Sequence, residues 1–301
     1  MGSQVRVANA PCSWGALEFE GVGDAPTFER VLNEMSAAEY AGTELGDWGF
    51  MPTDPVRLRE ETAARNLALL AAFVPVQLTA AADHAAGIQS ALRVARLLAA
   101  AGDRPFIVLS DDTARDPERT RLAGRIRPEH SLDDRGWDVV ASGANAVARA
   151  VRDETGLRTV FHNHCATFVE APWEIDALMS RTDPSILGLC LDTGHCAFGG
   201  GDPVATLDKW RDRIWHMHLK DCDPAIKARA AAEGWGYIEA VRQGVFCELG
   251  RGEVDFPAVL ARLNATGYDG WLVVEQDVLP SMGSPAESAV RNRQYLKSLG
   301  V

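Results

Sequence analysis

The amino-acid sequence predicts an α/β protein, a single-domain (β/α)8 or TIM barrel running over all 301 residues. Three observations carry that reading. Short apolar runs alternate with amphipathic helical stretches, and the runs number eight. They are rich in Val, Ile and Leu without polar alternation, as in strands buried on both faces of a parallel sheet. Polar residues collect where the runs end. An open doubly wound sheet is the competing arrangement, but no GxGxxG follows the first run.

In chain order the expected strands are VRVANAP from Val5, GTELGD from Gly42, LALLAAFVP from Leu67 and RPFIVLSDD from Arg104. RTVFHNHC from Arg158, LGLCLDTGH from Leu187, IWHMHLKD from Ile214 and GWLVVEQD from Gly270 complete the set. Expected helices begin at Phe28, His84, Trp137, Trp173, Asp202 and Phe256, several of them ending in glycine, a common C-cap. No composition break divides the chain. Two connections are too long for plain loops. Residues 222–252, with a helical-looking AIKARAAAEGWGYIEAVRQG, are expected to cover the barrel mouth. The charged connection from Thr113 to Arg135 reads as a solvated surface loop.

The net charge of −12 and the lack of any Lys/Arg-rich run argue against nucleic acid, whose phosphates demand a basic stripe. Six cysteines, none in a CxxC pair, read as free thiols in a reducing compartment. MGSQVRV has no apolar signal core and no run could span a bilayer, so a cytoplasmic protein without a membrane partner is expected. The sequence leaves homo-oligomerisation open.

In such a barrel chemistry sits at the C-terminal strand ends. Here those ends carry Glu44 and Asp47, then Asp111 and Asp112, then His162, Asn163 and His164. Asp192 and His195 follow, then His216, His218, Lys220 and Asp221, and finally Glu275 and Asp277. Residues two apart on a strand share a face, so His216, His218 and Lys220 all point inward. With His162, Asp192 and Glu275 at the same height, imidazole and carboxylate make an N/O site for Mn, Co, Zn, Fe or Mg as divalent ion. Only Cys165 or Cys196 could add a thiol, so a harder metal is expected. His195 can orient Asp192, bind substrate or simply line the strand end. Asp221 can pair with Lys220. Trp14, Trp48 and Trp271 can form a sugar-stacking wall or plug the barrel.

NAPCSWG, FHNHCATFVE, LCLDTGHCAFGG, HMHLKD, GVFCELGRGEVDF and GWLVVEQD, in that order, resemble the inosose dehydratases. More broadly they resemble the xylose isomerase-like barrel superfamily of sugar isomerases, epimerases and endonuclease IV. The resemblance covers nearly the whole chain. It implies a divalent metal held by strands five to eight, which in the ketose epimerases use Glu, Asp, His and Glu. Asp192, His218 and Glu275 match the last three. Where many members read Leu-Glu-Asn-His, this chain reads Phe161-His162-Asn163-His164, so His162 takes the glutamate's place, with His164 or Glu170 as the alternative contact. An epimerase needs a base on each sugar face, and here one of its two glutamates is missing. Metal-dependent dehydration of a cyclic keto-polyol such as 2-keto-myo-inositol, through an enolate, is therefore the favoured expectation, and isomerisation or epimerisation of a ketose the alternative. The partner is a small-molecule sugar or cyclitol. Glu275, His195, Lys220 and Glu44 are the candidate catalytic residues; Trp14, Glu170 and His164 are candidates for substrate binding.

Overall fold

The computed structural model describes residues 5–15, 26–277 and 282–301. Its strands are β1 (Arg6–Asn9), β2 (Gly42–Glu44), β3 (Ala68–Val76), β4 (Phe106–Asp111), β5 (Arg158–His162), β6 (Leu187–Asp192), β7 (Ile214–Leu219), β8 (Asp221–Cys222), β9 (Phe246–Cys247) and β10 (Trp271–Val274). Eight of them close a parallel barrel in the order β1-β10-β7-β6-β5-β4-β3-β2, and β8 and β9 pair antiparallel outside it. All eight expected strands are present.

The helices are α1 (Phe28–Ala37), α2 (Pro55–Ala63), α3 (His84–Ala101), α4 (Pro117–Leu122), α5 (Asp134–Thr155), α6 (Pro172–Arg181), α7 (Thr193–Phe198), α8 (Pro203–Trp210), α9 (Pro224–Glu233), α10 (Tyr237–Arg242), α11 (Phe256–Thr266) and α12 (Pro285–Ser298). Helix α7, which begins at Thr193 inside the expected strand LGLCLDTGH, was not expected, and neither were α2 and α12. Their starts are nevertheless written in the chain. Asp54 caps α2 by accepting from the Arg57 N–H, and Ser284 caps α12 by accepting from the Glu287 N–H. In each case proline occupies the first turn, where a missing N–H costs nothing.

Two apolar layers fill the molecule. Ala8, Leu70, Val108, Val160, Cys190 and Val273, from six different strands, form one buried cluster with Phe73 and Phe106 against it. A larger cluster joins strand faces to the surrounding helices, with Leu32, Leu98, Val147 and Leu178 among its members. The Thr113–Arg135 connection is not the solvated loop expected. It folds as α4, and Arg119 is 1% exposed. Its guanidinium donates to both oxygens of Glu174, Nη1 to Oε1 at 2.9 Å and Nη2 to Oε2 at 2.6 Å, which binds the connection to α6. All six cysteines are free thiols. No helix among the described residues is long and apolar enough to cross a membrane.

Candidate active site

Parallel pairing sets the heights of the rim residues. Asp192 at the end of β6 stands opposite His218 on β7, and His218 stands opposite Val273 on β10, two residues before Glu275. Each of His162, Asp192, His218 and Glu275 offers a ligand atom, and the four atoms lie within 4.8 Å of one another. Three of these residues carry a buried atom with no hydrogen-bond partner: His162 Nδ1, Asp192 Oδ2 and His218 Nδ1. Buried polar groups are rarely left this way. Bare imidazole nitrogens beside two carboxylates fit a divalent cation of intermediate hardness. His218 Nδ1 lies 3.1 Å from Glu275 Oε1 without hydrogen-bond alignment.

Charge is concentrated here. Lys220 is 1% exposed. Its Nζ donates to Asp277 Oδ1 and Oδ2 at 3.2 and 3.3 Å, and lies 3.3 Å from Glu275 Oε2 and 3.9 Å from Asp192 Oδ2. Burial opposes its charge, but Asp277, Asp192 and Glu275 lift its pKa well above the ordinary lysine value. Burial pushes the Asp192 carboxyl up to about 7 despite Lys220. Burial acts the same way on Glu275, yet His218 and Lys220 hold it well below the usual carboxylate range. His162 is driven well below its ordinary value by burial and by His218, so it stays a neutral donor of its lone pair. Gly194 makes room for the lysine, since a Cβ there would lie 2.5 Å from Lys220 Cγ.

A cleft opens above these residues. Glu44, His162, His164, Lys220 and Glu275 line it, as do Asp47 and Asp277, which the sequence places at strand ends without a role, and Cys12, Phe73 and Tyr237, which the sequence reading did not place at the site. The spacing signal for Asp277 was available: it lies two residues beyond Glu275. Tyr237 comes from α10, inside the 222–252 segment, and its ring packs 5.5 Å from His164 and 6.2 Å from His195.

Several expected roles are corrected. Trp14 does not line the cleft; it is 3% exposed, and its indole Nε1 donates to Glu34 Oε2 on α1 at 2.6 Å. Glu170 is absent from the cleft wall too. Its Oε1 accepts from the Gly124 N–H at 2.7 Å and its Oε2 from the Ala166 N–H at 2.8 Å, and burial pushes its carboxyl up to about 7. That buried carboxylate joins two loops. Trp271 starts β10, under the Arg6 guanidinium, and Trp48 lies 39% exposed against Arg93, so neither builds a stacking wall. His195 sits behind Lys220, with its Nε2 3.0 Å from Nζ and its ring fully buried. Asp221 does not pair with Lys220. It accepts from the N–H groups of Cys222, Gly250, Gly252 and Val254 at 2.8 to 3.1 Å. Cys190, rather than Cys165 or Cys196, brings a thiol to the ligand atoms; its Sγ lies within 4.8 Å of a ligand atom on both His162 and His218.

The chain matches the profile of the xylose isomerase-like TIM barrel family over residues 32–299. It is 31% identical over 299 residues to an inosose dehydratase of Clostridium botulinum (strain Eklund 17B / Type B), covering 98% of this chain and 97% of that one. Among solved structures it is similar to a probable 3-DHS dehydratase, AsbF, from Bacillus anthracis, with a TM-score of 0.72, 13% identity, and 97% and 99% of the two chains covered. An L-ribulose 3-epimerase superposes with a TM-score of 0.71 and 16% identity over 98% of this chain and 94% of that one. The barrel, the rim residues and these matches agree: the chain belongs to the xylose isomerase-like TIM barrel family, alongside the inosose dehydratases.

Proposed function

We propose that this enzyme is a metal-dependent lyase that dehydrates a cyclic keto-polyol of the 2-keto-myo-inositol type in the cytoplasm. The observation that carries the reading is the quartet His162, Asp192, His218 and Glu275 beside Lys220, with three ligand-capable atoms buried and unpartnered. The curated relatives named inosose dehydratase support the substrate class.

A divalent cation held by that quartet supplies Lewis acidity toward a ketone oxygen. The remaining work falls to the chain's own groups. Glu275, kept ionised by Lys220, accepts the proton α to the ketone. Lys220, steadied by Asp277, binds the substrate's hydroxyl oxygens and delivers the proton that the departing β-hydroxyl needs. The α C–H electrons become the new double bond as the β C–O bond breaks, and one water leaves. The enol that remains tautomerises to a 1,2-diketone. With His162 where the epimerases carry a glutamate, the set lacks the second metal-bound base that inversion requires. Glu44 does not replace it, because one of its oxygens already accepts from two imidazoles.

The test is incubation with 2-keto-myo-inositol and each divalent metal in deuterated buffer. Dehydration gives near-ultraviolet absorbance from the conjugated product. Deuterium uptake and a new stereoisomer without absorbance would replace this reading with isomerisation.

A further inference from the structure

Glu44 ends β2, yet its partners lie across the barrel. From β2 to β7 the strand order runs through β1 and β10, so the side chain reaches its partners through the barrel interior. Glu44 Oε1 lies 2.9 Å from His216 Nε2 and 2.9 Å from His218 Nε2. All three residues are buried. A carboxylate oxygen only accepts, so both Nε2 atoms carry hydrogen. A histidine that ligates a metal is neutral. With its hydrogen at Nε2, His218 then presents a bare lone pair at Nδ1. Nδ1 is the atom found 3.1 Å from Glu275 Oε1 and without a hydrogen-bond partner.

We infer that Glu44 is a positioning residue that fixes His218 as an Nδ1 ligand, and that His216, gripping the same oxygen, holds Glu44 in place. The inference rests on the metal-centre reading. Glu44, His216 and His218 also stand close enough to hold a second ion. Their facing nitrogens are already spent as donors to one oxygen, so the trio is a clamp and the centre takes one cation. Carboxylates that accept from the far nitrogen of a ligating histidine set its tautomer and raise its basicity, and their loss costs about 10–100-fold in metal affinity.

The experiment uses full-length wild type, Glu44→Ala, Glu44→Gln and His216→Leu, stripped by chelation and titrated with Zn²⁺ by competition calorimetry without substrate. One ion per chain is expected throughout. Affinity should fall about 10–100-fold in Glu44→Ala, and by less in Glu44→Gln, whose amide oxygen still accepts. Nitrogen NMR of histidine-labelled, zinc-loaded wild type should show His218 protonated at Nε2 and metal-bound at Nδ1, with the signal assigned by its loss in His218→Gln. Two ions per chain, one of them lost in Glu44→Ala, would make Glu44 a ligand. Wild-type affinity in a Glu44→Ala protein with unchanged circular dichroism would remove it from the site. Either result overturns the clamp. If Glu44→Ala does not fold, the NMR decides, and metal at Nε2 overturns it. A wild-type chain that binds no divalent ion overturns the metal-centre reading together with the clamp.

Discussion

Replacing Glu174 by alanine strands a charge. Arg119 and Glu174 have side chains 1% and 0% exposed, and their paired contacts at 2.9 and 2.6 Å are parallel charge-assisted hydrogen bonds. Glu174 also accepts from Ser131 Oγ at 2.7 Å and from the N–H groups of Glu170 and Ala171 at 3.2 and 3.0 Å. After Glu174→Ala the guanidinium keeps two carbonyl partners, chiefly Thr167 O at 2.7 Å, and the Phe168 ring, but no carboxylate to which it hydrogen-bonds. Breaking one side of a buried pair costs about 3–5 kcal/mol. With an unfolding entropy of ~2.1 cal/mol/K per residue, a 301-residue chain loses about 5–8 °C in melting temperature. Arg119→Met with Glu174→Leu removes both charges and should recover most of that loss. Thermal and urea melts of Arg119→Met, Glu174→Leu and the double variant measure the coupling. A loss below about 1 kcal/mol in Glu174→Ala, the size expected of an exposed pair, would refute the claim that this connection is anchored by a buried charge.

Three further outcomes are expected. His162→Glu should tighten metal binding and slow dehydration, because the added carboxylate makes the centre less positive; wild-type affinity and rate in both His162→Glu and His162→Ala would show that His162 is not a ligand. His195→Ala should lower kcat while leaving metal stoichiometry unchanged, since the ring touches Lys220 and not the cleft; loss of bound metal in that variant would contradict this. Burial raises the folded pKa of Asp111 to about 6 although it accepts from the N–H groups of Phe168 and Leu78. A raised folded pKa gives a stabilising contribution that is complete below the unfolded value and is lost as pH climbs through the folded one. The stability of wild type relative to Asp111→Asn should therefore drop by about 2 kcal/mol between pH 4 and 7, and a flat difference in urea titrations across that window would count against it.

The barrel was legible because its strands are apolar on both faces, and because strand ends, where Asp192 and Glu275 stand, are sequence positions as much as places. Side-chain direction just past a strand end was not legible. Trp14 and Cys12 lie in the same 3-10 turn after β1, yet only Cys12 lines the cleft, because the turn carries the indole toward α1. Glu170 and Arg119 share a charged composition with the exposed loops; only the fold reveals that backbone N–H groups and Glu174 satisfy them. The Glu44–His216 contact joins residues 172 apart in the chain, and no local pattern encodes such a pairing. Helices α2 and α12 carry Asp-Pro and Ser-Pro starts, but their apolar stripes are thin and give little helical periodicity.

The Asp221 carboxylate has a consequence for how such a protein diversifies. It grips the backbone at residues 222, 250, 252 and 254, so both ends of the segment bearing α9 and α10 are tied to one point. Gly252 permits that grip, since a Cβ there would fall 2.3 Å from Asp221 Oδ1. A segment closed at its neck can change length at little entropic cost, about 0.6 kcal/mol per doubling. Tyr237, carried within it, reaches the cleft from outside the barrel. The segment is thus an exchangeable cassette: grafts that replace residues 224–245 and keep Asp221 and Gly252 should alter which substrates fit while the strands and the rim quartet His162, Asp192, His218 and Glu275 fold as before.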